Sequence, residues 1–237
     1  MIVAEKFNFS TVKGISLKQL EAHYKLYEGY VNKLNEIWNI TKDADEFEDP
    51  NPTYSSMRSL KLGETYALDG VKLHNLYFEN ITGIDKGRPS GEILQLIKRD
   101  FISYDNFLSY LKKVGQSMRG WAIVTIDPLD GKLHIIGSDA HDVGAVWESY
   151  PLLVLDVYEH AYFYDFTTER AKYIDIFLQN INWNVVNKRL EEYKMHHGLK
   201  GAKSGKGVMG TEMKKDKSYS RYCPNWIFDE ETLQIIE

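Results

Sequence analysis

The stretch LDVYEHAY, residues 155–162, decides how the rest of the chain is interpreted. It continues the apolar run PLLV, so Asp156 stands at the end of a predicted buried strand, and His160 follows four residues later. A carboxylate in such surroundings is costly unless a cation or hydrogen bonds compensate it. Taken alone, the pair is better explained by an ordinary buried aspartate that caps the next helix beside a satisfied core histidine. The pair becomes a candidate metal site only if other parts of the chain supply further ligands.

Composition limits the chemistry that such a site could use. The 237-residue chain has one cysteine, Cys223, which excludes an intrachain disulfide framework and any site built from several thiolates. A metal would have to bind to His, Asp or Glu, and seven histidines are present. The net charge of -5 gives no indication of nucleic-acid binding, and no apolar run approaches the ~20 residues of a membrane span. Because the N-terminus lacks the pattern of a secretory signal, we expect a cytoplasmic protein with no membrane or nucleic-acid partner.

Apolar residues recur at three- and four-residue steps in the first third of the chain, which predicts two helices. The first covers residues 17–38 after a candidate N-cap at Ser16, and the second covers roughly residues 64–81. An acidic stretch with two prolines separates them and is predicted to be a surface loop. Each helix carries one histidine on its apolar face, His23 on the first and His74 on the second.

The pattern then changes to short strands. Residues 121–137, WAIVTIDPLDGKLHIIG, predict two strands joined by a turn, and residues 151–157, PLLVLDV, predict a third. A further helix is predicted over residues 168–190. The coarse result is a helical hairpin followed by an α/β domain.

Three regions follow from this pattern. Residues 1–85 are predicted to form the hairpin domain and residues 86–190 the α/β domain. Residues 191–237 are predicted to be an extension rich in lysine and glycine, whose apolar C-terminus docks on the body of the protein.

Residues 155–183 as a whole resemble the signature of the iron/manganese superoxide dismutases, whose core pattern is D-V-W-E-H-A-Y. The family also has a C-terminal helix ending near an N-W pair, which Asn182 and Trp183 match. The resemblance implies an α+β fold, in which an N-terminal antiparallel helical hairpin precedes a C-terminal α/β domain with a three-stranded antiparallel sheet. Further matches in the family order are YVNKLN (30–35) in the first helix, LHNLYFEN (73–80) in the second and GWAIV (120–124) in the sheet.

The resemblance also implies a ligand set of three histidines and one aspartate. Asp156, His160 and His74 carry over from the matching motifs, and His23 is the fourth ligand because it is the only histidine on the first helix. Three imidazoles and one carboxylate leave a coordination position open and suit Fe or Mn. We expect one such ion per subunit, with Mn slightly preferred because Gly70, four residues before His74, resembles the manganese pattern.

Two residues are expected to serve catalysis beside the metal. Tyr30 corresponds to the gateway tyrosine of the family, although it is one residue closer to His23 than is usual there. One explanation is that this helix lacks a one-residue bulge that the family carries, which would let both residues keep their roles; the alternative is that Tyr27 takes the gateway position. His141 stands where the manganese enzymes have a glutamine, and some family members also have histidine there.

Four further residues are expected around the metal and at a dimer contact: Trp121, Tyr158, Glu159 and Tyr162. Trp121 would form part of the apolar wall, and Tyr158 replaces the usual tryptophan of the motif. The glutamate of the family that corresponds to Glu159 reaches the ligand histidine of the other subunit. A second cross-dimer bond of the family is expected to be missing, because Phe163 and Tyr27 occupy its two positions.

The reaction that the resemblance implies is the disproportionation of superoxide to dioxygen and hydrogen peroxide by a homodimer or tetramer. A non-catalytic metal-binding relative with the same fold is the alternative, suggested by the altered spacing before Tyr30 and by His141. An oxygenase with histidine and aspartate ligands is a third and weaker possibility.

Overall fold

The structure is a computed structural model that describes residues 1–84, 86–144 and 146–197. The extension rich in lysine and glycine and the only cysteine, Cys223, lie outside these residues, so the predicted docking of the C-terminus stays a prediction. The division into domains at residues 85/86 and 190/191 also remains a prediction. None of the described helices combines the length and the apolar character that crossing a bilayer requires.

Two long antiparallel helices form the hairpin: α1 spans Leu17–Ile40 and α2 spans Ser56–Ile81. The predicted cap at Ser16 is present, since its hydroxyl accepts a hydrogen bond from the Gln19 amide at 3.1 Å. The second helix begins well before residue 64, because the hydroxyl of Ser55 caps it at the Arg58 amide, 3.2 Å away. Its first two turns are largely solvent-exposed and carry little apolar periodicity, which is why the sequence did not reveal them.

The face that each hairpin helix turns inward follows the predicted stripes. The spacing of three and four residues brings these side chains over one another along each helix and against the facing helix. The buried residues include Leu20, His23, Tyr27, Val31, Leu34 and Ile37 on α1, and Ala67, Val71, His74, Tyr77, Phe78 and Ile81 on α2.

Within the described residues, one sheet of three strands forms the centre of the second half: β1 (Trp121–Asp127), β2 (Lys132–Ser138) and β3 (Tyr150–Asp156). The central strand β1 pairs antiparallel with both neighbours. In this register Trp121, the first residue of β1, lies opposite Asp156, the last residue of β3. The pairing brings a large aromatic ring beside the candidate ligand.

Helices pack around the sheet and the hairpin. The segment predicted as one helix over residues 168–190 is two, because the backbone is extended at Ile181 and Asn182. There the Asn182 amide bonds to the Asn80 carbonyl at 2.7 Å, which ties the break to the end of α2. The helices are α3 (Gly91–Phe101), α4 (Tyr104–Ser117), α5 (Phe163–Phe166), α6 (Arg170–Asn180) and α7 (Trp183–His196), with a 3-10 turn at Glu159–Ala161.

Candidate metal centre

Four side chains from three parts of the chain meet at the junction of hairpin and sheet. His23 comes from α1, His74 from α2, Asp156 from the end of β3, and His160 from the 3-10 turn that follows. One potential ligand atom from each lies within 4.8 Å of all the others. Asp156 and His74 are fully buried and His23 is nearly so, whereas the side chain of His160 is 23% exposed to solvent.

The C-terminal pair is arranged by a short local turn. The Tyr158 amide donates to Oδ1 of Asp156 at 2.9 Å, so the carboxylate stops the strand and turns the chain into the 3-10 helix. This turn places Nε2 of His160 at 3.3 Å from Oδ2 of Asp156. From α6, the hydroxyl of Tyr173 donates to the Asp156 carbonyl at 2.8 Å and holds the end of the strand.

The remaining two imidazoles approach the same carboxylate oxygen from the hairpin. Nε2 of His23 lies 3.1 Å and Nε2 of His74 lies 3.7 Å from Oδ2 of Asp156. Nδ1 of His74 donates to the Gly70 carbonyl at 2.6 Å, which leaves the lone pair of this imidazole on Nε2. That Nε2 has no hydrogen-bond partner among the described residues, although it is buried.

A buried nitrogen without a partner costs about 1–3 kcal/mol, so its presence here calls for a ligand. Burial lowers the pKa of His23 and, more strongly, that of His74, so both rings are neutral at pH 7. Burial alone would raise the pKa of the Asp156 carboxyl, but the imidazoles of His160 and His23 outweigh it and hold that pKa well below its usual value. A buried carboxylate beside the neutral imidazoles of His23 and His74 fits a cation such as Fe or Mn.

A chain of hydrogen bonds lies beside the four candidate ligands. Nε1 of Trp121 donates to Nδ1 of His141 at 3.0 Å, and the other ring nitrogen of His141 lies 2.8 Å from the hydroxyl of Tyr30. An indole can only donate, so Nδ1 of His141 is the acceptor. Burial lowers the pKa of His141 to about 4, so at pH 7 the ring is neutral and its one proton is on Nε2. The bond therefore runs from His141 to the oxygen of Tyr30.

Gly70 provides the space for this chain. A Cβ at this position would lie 3.2 Å from Cγ of Tyr30 and 3.3 Å from Cδ2 of His141, tighter than an ordinary contact. Any side chain at residue 70 would therefore displace one of these two rings. Gly70, which resembles the manganese pattern of the family, thus also determines where Tyr30 and His141 can lie.

The two tyrosines considered for the gateway point in different directions. The ring of Tyr30 meets that of His141 with centroids 4.8 Å apart. Tyr27 is fully buried, and its hydroxyl accepts a hydrogen bond from the Glu5 amide at 2.8 Å, on the side of the N-terminal segment. Because α1 is regular throughout Leu17–Ile40, His23 and Tyr30 lie two turns apart on one face. The geometry thus favours Tyr30 for the gateway.

The other residues expected around the site lie beside it as follows. The ring of Tyr158 stacks on that of His160 at 4.9 Å, and Trp121 meets His74 edge-on at 5.1 Å. Glu159 is exposed to solvent, as a residue that reaches a second subunit would have to be. Tyr162 is instead buried within this chain, where its hydroxyl accepts a hydrogen bond from Nε of Arg170 at 3.1 Å.

One side chain at the site was not singled out from the sequence. The ring of Tyr66 lies 4.5 Å from that of His141 and 6.0 Å from that of Tyr30. The available signal was the spacing, since Tyr66, Gly70 and His74 follow one another at four-residue steps on α2. A polar aromatic two turns before a ligand lies on the face of that ligand.

Three imidazoles and one carboxylate are donors that suit an iron or manganese ion, and here they meet between a helical hairpin and a three-stranded sheet. Residues 89–189 match the family model for iron/manganese superoxide dismutases, C-terminal domain. The chain is 42% identical over 194 residues to "Superoxide dismutase [Fe]" of Aquifex pyrophilus, covering 80% of this chain and 91% of that relative. It is 33% identical over 172 residues to "Superoxide dismutase [Mn]" of Haloarcula marismortui, covering 73% and 81%. The chain belongs to the iron/manganese superoxide dismutase family. The family, the α+β fold and the enzyme class predicted from the sequence are confirmed.

Proposed function

We propose that the chain dismutes superoxide at one Mn or Fe ion held by His23, His74, Asp156 and His160. The observation that supports this most is the partnerless Nε2 of His74, which lies beside the buried carboxylate of Asp156. The names of the relatives quoted above include both metals, and Gly70 favours manganese, so we propose that Mn is slightly preferred and that either ion can be bound.

The bound ion would supply one-electron redox chemistry, oxidising one superoxide to dioxygen and reducing a second, which takes up two protons to give hydrogen peroxide. The protein residues provide the electrostatic setting. Asp156 is the only anion among the four proposed ligands, so it compensates only one of the two or three positive charges of the cation. A small anion such as superoxide is attracted to this site even though the chain carries a net charge of -5.

We assign catalytic roles to Tyr30 and His141. Nε2 of His141 donates to the oxygen of Tyr30, and Trp121 fixes the tautomer that makes this donation possible. The half-buried ring of Tyr30 packs 5.4 Å from that of His74, so Tyr30 combines contact with a proposed ligand and partial exposure to solvent. In this position Tyr30 limits the access of water and can pass a proton inward.

Reconstitution with each metal separately tests the function. The full chain is stripped of metal, loaded with Mn or with Fe, and analysed for metal content and for the rate of superoxide decay. We expect one ion per chain with either metal and catalytic decay with at least one, with Mn the more active. One bound ion per chain without dismutation by either metal would instead identify a non-catalytic metal-binding relative.

We further propose that the enzyme works as a homodimer or tetramer in the cytoplasm. The exposed Glu159 directly precedes His160, and the adjacent side chain of Phe163 is 50% exposed, an apolar area that a second subunit could cover. Light scattering should give the mass of two or four chains, and Glu159→Ala should shift it toward the monomer. Cell fractionation tests the location, and enzyme in a membrane or secreted fraction would contradict it.

A further inference from the structure

Tyr66 connects the buried centre with the surface along one face of α2. It lies one turn before Gly70, which lies one turn before His74, so the three positions follow a single line along the helix. His74 is fully buried, whereas Tyr66 is 37% exposed. The line thus begins at a proposed ligand, passes the space left by the glycine, and ends at a phenol in contact with solvent.

The direction of the inner hydrogen bonds determines what Tyr30 can still do. Because the oxygen of Tyr30 already accepts from His141, its own proton is free to be donated outward. The ring of Tyr66 meets that of Tyr30 edge-on, with centroids 6.0 Å apart. Burial and, after it, the neighbouring phenol of Tyr66 raise the pKa of both Tyr30 and Tyr158, so the three phenols lie close together. A phenol oxygen can accept one bond and donate another, so Tyr66 can continue the chain to the solvent.

The ring of Tyr66 alone does not account for this arrangement. A phenylalanine would fill the same space against His141, whose ring centroid is 4.5 Å away, but it could neither accept nor donate a hydrogen bond. The hydroxyl is the only atom that distinguishes the two residues.

We propose that Tyr66 is a positioning residue for proton delivery: its hydroxyl accepts the hydrogen bond of Tyr30 and links the Tyr30–His141 pair to bulk water. This inference rests on the proposed function, because dismutation consumes two protons for every two superoxide ions. The proposed order from inside to outside is His141, Tyr30, Tyr66 and solvent. Tyr66 acts through Tyr30 and does not itself touch the proposed ligands.

Tyr66→Phe in the metal-loaded enzyme tests the proposal, because it removes one hydroxyl and little else. The matched control is Tyr54→Phe, since Tyr54 is 84% exposed and lies before the start of α2. We expect kcat for superoxide to fall about fivefold to tenfold in Tyr66→Phe, below the range for a general acid that acts directly. We expect KM to fall in parallel, so that kcat/KM changes less than twofold. The control should match the wild type.

A spectroscopic measurement tests the contact without activity. With ring-labelled tyrosine, the infrared C–O stretch of the phenols should shift in Tyr66→Phe beyond the loss of one band, because Tyr30 and Tyr158 lose a hydrogen-bonding neighbour. Tyr54→Phe should remove one band and shift no other. Metal content and the dissociation constant for azide should remain within twofold of the wild type in both variants.

The possible failures are distinguishable. An unchanged kcat, or an unshifted C–O stretch, would overturn the role of Tyr66, and loss of metal or of azide affinity would assign it a structural role instead. An inactive wild-type enzyme would refute the proposed function. The infrared shift would then decide alone whether Tyr66 holds the hydroxyl of Tyr30.

Discussion

The two halves of the proposed metal centre are assembled in different ways. Asp156 and His160 belong to one short stretch, where a single turn closed by the Tyr158 amide brings them together. His23 and His74 come from separate helices, and their rings meet, with centroids 5.0 Å apart, only because the hairpin packs. The local half needs few residues to form, whereas the hairpin half requires the tertiary fold.

This difference predicts which residues affect both metal binding and the stability of the fold. Asp156 is the common neighbour, since all three imidazoles approach its Oδ2 within 3.7 Å. Removing it affects both halves at once. Removing a hairpin histidine affects the packing of the helices as well as the metal, whereas the partly exposed His160 contributes less to packing.

The largest effect is expected from Asp156→Asn. An amide of the same shape removes the only anion of the proposed ligand set, and even the outer hydrogen bonds of metal sites are worth about 10–100-fold in affinity. We therefore expect metal affinity to fall by more than about 100-fold and superoxide decay to return to the uncatalysed rate. Metal analysis after dialysis measures this, with Asp175→Asn as the control because Asp175 is an exposed partner of Lys112. Normal metal content in Asp156→Asn would disprove the ligand assignment.

Replacing one histidine from each half separates binding from packing. His23→Ala and His160→Ala should both retain less than about a tenth of the metal, as expected when a ligand is lost. Metal-free His23→Ala should also lose about 2–4 kcal/mol of unfolding free energy, because it leaves a cavity in the hairpin. His160→Ala should lose less, since its side chain is 23% exposed.

Urea unfolding of the metal-free proteins measures this difference, and His134→Ala on the exposed side of β2 is the control. Equal losses of stability in the two variants would contradict the distinction between the halves. A His23→Ala protein with a full complement of metal would exclude His23 as a ligand.

A smaller effect is expected where the hairpin supports the outer hydrogen bonds. In Gly70→Ala the new methyl group must displace Tyr30 or His141, while the proposed ligands stay in place. We expect kcat to fall about tenfold at unchanged metal content, because small misplacements of catalytic groups are costly. Gly29→Ala is the matched control, since a Cβ there meets nothing within 4 Å and alanine favours the helix. Wild-type kcat in Gly70→Ala would show that the site adapts to the methyl group.

The smallest effect concerns Lys86, which links the N-terminal segment to α6. Its ammonium donates to the Thr11 carbonyl and, at 2.7 Å, to Oδ1 of Asn180. Burial lowers the pKa of Lys86 from 10.5 to about 8, so between these values the unfolded state binds more protons than the folded state. The unfolding free energy of the wild type should therefore rise with pH from 8 to 10 relative to Lys86→Met, by less than about 1 kcal/mol because water screens the side chain. A constant difference between the two proteins over this range would contradict the lowered pKa.

The sequence was sufficient wherever a feature depends on neighbouring residues. The cap at Ser16, the strand that ends at Asp156 and the His160 spacing are local, and each is where it was predicted. The start of α2 was missed because its exposed first turns have no apolar stripe. The break at Asn182 was missed because it is fixed by the distant Asn80 carbonyl. The direction of the hydrogen bonds through His141 follows from the position of Trp121, which donates to its Nδ1. The spacing of residues in the sequence does not reveal that position.

Because Trp121 pairs with Asp156, the register of the sheet determines where this proposed ligand lies. Side chains alternate between the faces of a strand, so a slip of one residue between β1 and β3 would turn Asp156 away from the hairpin. One inserted residue within β3 should abolish metal binding, whereas one inserted into the turn between β1 and β2 should leave this pairing intact. A chain that binds its metal has therefore also formed the correct strand register, and metal uptake reports on the fidelity of folding at a site far from either end of the sequence.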